Sequence, residues 1–140
     1  MTTADHKAIE ASARDYIEGW FEGDASRMKR ALSPDLRKCT VIRDHKSGSL
    51  TVGQPNNNAF RMVRMTELGI MKEDNVTIDV EVLYVFRDIA AARTSCPYFD
   101  DLLHLANFGR YGWRIVNALW QVADGEWEPS VVEDMDHLMS

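Results

Sequence analysis

Residues 76–86, VTIDVEVLYVF, carry the clearest periodicity in the chain: Val76, Ile78, Val80, Val82, Tyr84 and Phe86 alternate with Thr77, Asp79 and Glu81. A period of two is that of a strand whose successive side chains point to opposite faces, so the stretch predicts a strand with those six apolar residues on its buried side. Downstream, Arg87-Asp88 supplies a tight turn and Ile89 to Ser95 a return strand. Phe99 to Phe108 and Trp113 to Val122 predict two more, hinged at Gly109-Arg110-Tyr111-Gly112. Strands in unbroken succession imply an antiparallel meander. In the last of them strict alternation puts Trp113, Ile115, Asn117 and Leu119 on one face, and Val116, Ala118, Trp120 and Val122 on the other. Asn117 thus stands as a polar group between two apolar ones, while Trp120 is expected on the outer side as a dimer contact.

Upstream the period changes to that of a helix. From Thr3 to Phe21, the residues Ile9, Ala13, Tyr16, Ile17 and Trp20 recur on one stripe. Gly23 ends this helix, and Asp24 caps a second, ASRMKRALS, whose Met28, Ala31 and Leu32 share a face and which Pro34 stops. Leu36 to Asp44 and a short LTV strand predict a hairpin around Lys46-Ser47-Gly48-Ser49. Gln54-Pro55-Asn56-Asn57-Asn58 breaks the chain before a third helix, from about Ala59 to Leu68, closed by Gly69. Helices gathered at the front and strands at the back predict an α+β domain over residues 1–123, its mixed or antiparallel sheet curling as a cone over a long N-terminal helix and two further helices.

The 140-residue chain has 45% apolar and 27% charged residues, a composition able to bury a core. Its net charge of −6 is localised: Asp124, Glu126, Glu128, Glu133, Asp134 and Asp136 meet no Lys or Arg in residues 124–140, which leaves 16 acids against 16 bases before them. That segment is expected to be an acidic tail. Nothing in this balance provides the cationic surface that a nucleic acid or an anionic membrane requires. The basic groups Arg27, Lys29 and Arg30, and Arg61 with Arg64, are expected to be solvated. Cys39 and Cys96 stand apart, no metal-ligand spacing and no phosphate loop are present, and no cofactor is expected. With no apolar leader at the N-terminus, the expected location is cytoplasmic.

The segments YIEGWFEGDASRMKRALSPDL (residues 16–36), FDDLLHLANF (99–108) and GWRIVNALWQ (112–121) resemble the nuclear transport factor 2-like superfamily, and within it the small proteins grouped as lumazine-binding or SnoaL-like. The resemblance spans most of residues 8–123. It implies a conical pocket between the helices and the concave face of the sheet, and a homodimer through the convex face. In ketosteroid isomerase, of the same superfamily, a carboxylate base moves a proton while a tyrosine and a protonated acid hold the developing enolate. The resemblance places the tyrosine at Tyr16 and the second donor near His104. Where the base would stand the chain reads Arg37, Lys38, Cys39, Thr40, with no acid, and Asp44 falls at the strand's end.

The candidate pocket is therefore Tyr16, Trp20, Phe60, His104 and Asn117, with Tyr16 and His104 as the candidate catalytic pair. Asp100 shares a face with His104 but lies roughly 13 Å along the strand, and Asp101 points to the opposite face, so neither forms a local dyad with it. The expected function is a pocket for a small, flat or ring-bearing ligand. Two alternatives stand beside it: an isomerase or cyclase working through Tyr16 and His104, and a non-catalytic dimeric interaction protein whose cone is filled by its own side chains.

Overall fold

The structure is a computed structural model that describes residues 2–44, 46–53 and 58–123. The expected acidic tail, residues 124–140, and most of the chain break at 54–57 lie outside the described residues. Helix α1 (Thr3–Glu22) begins where Thr2 Oγ1 accepts the Asp5 N–H at 3.0 Å and ends at Gly23, whose φ of 71° is the left-handed conformation a glycine adopts without strain. Asp24 then caps α2 (Ala25–Ala31) by accepting the Arg27 N–H at 3.1 Å. This helix stops two residues before the expected Ser33. Pro34 disfavours helical backbone at the residue before it, and Leu32 instead opens strand β1 (Leu32–Arg43) opposite Ile115. The ladder is irregular between Leu32 and Arg37, the stretch that contains Pro34, a residue without an N–H to donate.

After β1 come β2 (Leu50–Gly53), α3 (Ala59–Glu67) capped by Asn58, and then β3 (Asp79–Phe86), β4 (Ile89–Ser95), β5 (Phe99–Asn107) and β6 (Trp113–Val122). They form one six-stranded sheet in the order β2-β1-β6-β5-β4-β3. Only β1 and β6 run parallel; the hairpin β1-β2 and the meander β3 to β6 are antiparallel. The α+β cone expected from the element order is the fold observed.

Two bulges overturn the face assignments made by strict alternation. In β3 the register shifts between Val82 and Tyr84, so Leu83 is an extra residue. Val80, Val82 and Val85 pack on the core, and Tyr84 and Phe86, expected inside, are 63% and 53% exposed. In β6, Ile115 pairs with Leu105 but Asn117 pairs with His104, which leaves Val116 as the extra residue. Beyond it the parity reverses. Ala118 and Trp120 turn inward and are buried, so Trp120 is a core residue and not an outer contact.

The concave face meets the helices in rows that cross the strands. One row runs Lys38, Ala118, Leu103, Ala92, Val82, and its neighbour runs Thr40, Trp120, Asp101, Thr94, Val80. Ala118 and Ala92 are fully buried, and their small side chains leave depth for α1, whose Ile9, Ala13, Tyr16, Ile17 and Trp20 share the same core. On the outer side of α1, the Arg27 guanidinium reaches Asp15, Glu18 and Glu22 at 2.8 to 3.1 Å, and Arg30 reaches Asp15 at 2.8 Å. These arginines, expected to be solvated, clamp α2 to α1. Among the described residues no helix is long and apolar enough to cross a membrane.

Candidate functional site

Tyr16 stands on the stripe of α1 that faces the sheet, and its O–H donates to Asp101 Oδ1 at 3.1 Å. Asp101 is fully buried on β5, between Trp120 on β6 and Thr94 on β4, and Thr94 Oγ1 donates to its other oxygen at 3.4 Å. From β1, Lys38 reaches under α1 to donate from Nζ to the Tyr16 hydroxyl oxygen at 2.7 Å and to Met62 Sδ of α3 at 3.5 Å. Three rings surround that nitrogen: Tyr16, Trp20 and Trp120, with centres at 5.2, 5.7 and 5.6 Å. The faces of such rings carry negative electrostatic potential, so the cage favours an ammonium.

No ion pair links Lys38 directly to Asp101 among the described residues; the tyrosine hydroxyl bridges them. Burial pushes the Lys38 ammonium below its ordinary pKa, with the charge of Asp101 acting the other way. Burial pushes the Asp101 carboxyl up, against the charge of Lys38 and the hydrogen bonds from Tyr16 and Thr94. Tyr16 is held well above its ordinary value by burial and by the adjacent carboxylate, so it remains a phenol and a donor. The path Nζ–H···Oη–H···Oδ1 therefore connects ammonium with carboxylate to amine with carboxylic acid through two hydrogen bonds, and neither form changes the net charge. The nearby Cys96 thiol is also pushed up, chiefly by burial, and stays protonated.

Of the residues singled out by sequence, Tyr16 and Trp20 face this interior. His104 does not: it is exposed on the convex side of β5, where its Nδ1 and Asn117 Nδ2 lie 3.2 Å apart. The β6 bulge turns Asn117 to that side. Tyr16 and His104 thus lie on opposite faces of the sheet and share no point, which removes the catalytic pair drawn from them. Phe60, on the outward side of α3, is 78% exposed. The strand on which the resemblance seeks a second donor carries Asp101 as its inward polar group, three residues before His104, and the strand on which it seeks a base carries Lys38. Both were legible as charged residues on an apolar parity: Lys38 between Leu36 and Thr40, Asp101 ahead of Leu103 and Leu105. No group of three metal-ligating side chains occurs among the described residues. An open cleft of about 320 Å³ is bordered by Ser33, Pro34, Phe108, Tyr111 and Arg114, none of them among these groups.

A family model described as "Putative lumazine-binding" matches residues 4–121. The chain belongs to that family. Its fold is that of the nuclear transport factor 2-like superfamily. A nuclear transport factor 2-like protein of unknown function from Silicibacter pomeroyi is 24% identical with a TM-score of 0.63, the match covering 87% of this chain and 99% of that one. One from Shewanella baltica is 17% identical at a TM-score of 0.65, covering 87% and 97%. A ketosteroid isomerase-like protein from Erwinia carotovora is 13% identical at 0.59, covering 87% and 98%. No curated protein matches the chain. The similarity to these structures is one of fold.

Proposed function

We propose that the protein binds a flat, ring-bearing small molecule inside the cone. Trp20, Trp120 and Tyr16 form the walls and the Lys38–Tyr16–Asp101 chain the polar floor. The observation that carries this reading is a lysine nitrogen buried among three aromatic rings with a phenol, and not a carboxylate, as its polar partner. A purely structural buried ion pair gains most from direct contact. Here the charges are held apart by a donor–acceptor pair set between ring faces suited to stacking on a planar molecule. The family description points to the same ligand class. Admission of a ring requires Trp20 or Lys38 to turn aside, since the walls already close on Nζ.

Thermal unfolding with lumazine, flavins and other aromatic heterocycles tests the reading. A ligand at a hundred times its Kd adds about 2.7 kcal/mol, enough to raise Tm by several degrees and, by stacking, to quench tryptophan emission. If none of the set produces either change, the pocket reading is wrong.

The convex face supports a homodimer. Leu102, 50% exposed, pairs across the sheet with Leu119, and Leu119 with Cys39, which sets an apolar row on the outside of β5, β6 and β1. Sedimentation is expected to give a dimer for the native chain and a monomer for Leu102→Asp. A native monomer at micromolar concentration would dispose of this interface.

A further inference from the structure

Among the described residues, two donors in the cone interior lack a full set of acceptors. An ammonium has three N–H bonds, and Lys38 directs one to the Tyr16 hydroxyl at 2.7 Å and another to Met62 Sδ at 3.5 Å, a weak acceptor. Among the described residues the third has only ring faces around it. The Trp20 indole, 7% exposed, has its Nε1–H buried without an acceptor among the described residues. Nζ lies over the face of that indole, 5.7 Å from its centre, so the two donors belong to adjoining side chains of one wall. Among the described residues Asp101 accepts from Tyr16 and Thr94 and from neither of these donors.

We infer that the cone's occupant presents an anionic group, borne on its flat ring, to Lys38 Nζ and Trp20 Nε1, and that its arrival is matched by protonation of Asp101. This rests on the ring-binding reading above. The charge balance supplies the second half of the inference. Lys38 and Asp101 together are neutral, and an incoming anion would leave one uncompensated negative charge in a buried site. The groups facing Asp101 are Tyr16 from α1, Lys38 from β1, Thr94 from β4 with Cys96 just past its end, and Trp120 from β6; Asp100 is its chain neighbour on the convex face. Tyr16 and Cys96 are already protonated and held so. Lys38 gains a direct anionic partner and stays charged. Asp101 is then the group able to take a proton from solvent, and as a carboxylic acid it still accepts from Tyr16 on its carbonyl oxygen. The site returns to neutrality with ammonium, ligand anion and carboxylic acid side by side.

Calorimetric titration with 2-naphthoate and its neutral isostere 2-naphthamide, at pH 7 in phosphate and in Tris buffer, reads both parts. The carboxylate is expected to bind about tenfold more tightly than the amide, since charged hydrogen bonds are roughly twice as strong as neutral ones. The difference in heat between buffers is expected to correspond to uptake of about one proton per site. Trp20→Phe keeps an aromatic wall, deletes the N–H and is expected to weaken the carboxylate several-fold and the amide by less. Asp101→Asn keeps an acceptor for Tyr16 and is expected to abolish proton uptake. Equal affinity for the two probes, a carboxylate bound without proton uptake, or uptake that persists in Asp101→Asn overturns the inference and leaves the pocket reading standing. Binding of neither probe by a protein that lumazine or a flavin does stabilise overturns it too. Failure of every ring overturns the reading beneath it.

Discussion

Replacing Lys38 by methionine is expected to destabilise the fold by about 3–5 kcal/mol at neutral pH, because breaking a buried charge pair from one side leaves the other charge uncompensated. Methionine fills most of the volume that the lysine stem occupies between Tyr16, Trp20 and Trp120. The loss therefore falls on Asp101, already pushed up by burial and opposed chiefly by the charge of Lys38. Without that cation its folded pKa rises further above the 3.8 of the unfolded chain. Protonation limits the damage: carrying a proton at pH 7 on a group with an unfolded pKa of 3.8 costs about 4 kcal/mol at 1.36 kcal/mol per pH unit, so the two figures agree.

The sign follows from proton binding. Between pH 3.8 and the raised folded value, the native variant binds more protons than its unfolded state, so its stability falls as pH rises through that window. Urea unfolding should place Lys38→Met close to the native protein near pH 4 and well below it at pH 7. Lys38→Met combined with Asp101→Asn removes both charges and keeps the Tyr16 bond, and should recover most of the loss and its pH dependence. A single variant equally weakened at both pH values would show that the lysine acts by packing alone.

Leu103→Ala is expected to cost about 2–5 kcal/mol, against less than about 1 kcal/mol for Phe86→Ala, although the second deletes the larger side chain. Leu103 is fully buried in the row between Ala118 and Ala92, two residues too small to collapse into the space it would leave. Phe86, at the end of an edge strand, is mostly in solvent. Chemical unfolding of the two variants measures the difference. A large loss at Phe86 would mean that the Leu83 bulge is absent and that β3 keeps the simple alternation of its sequence.

The contrast shows how far local pattern reaches. The alternation from Val76 to Phe86 identified a strand because side-chain direction reverses at each residue, but it assigned Tyr84 and Phe86 to the inside because nothing in a run of apolar residues marks where one is unpaired. The same limit misplaced Asn117 and Trp120. A bulge is set by the partner strand, and here His104 and Leu105 on β5 decide that Val116 is the extra residue. Asn117 entered the candidate pocket through that error. The resemblance places the second donor near His104, whereas the inward polar group of that strand is Asp101, three residues earlier and on the opposite face.

By itself the sequence determined the helices and the cap at Asp24, the strands of the meander, and the α+β class, since each depends on residue type and spacing within about a dozen positions. The parallel pairing of β1 with β6, the phase of β3 and β6 past their bulges, and the meeting of Tyr16, Lys38 and Asp101 belong to the tertiary structure alone. Those three residues lie on α1, β1 and β5, separated by 22 positions in one case and 85 in another, and no local rule joins them. What joins them is charge buried where water does not reach: a lysine and an aspartate inside one cone are each costly alone, and the fold that makes both tolerable is the one that sets a tyrosine hydroxyl between them.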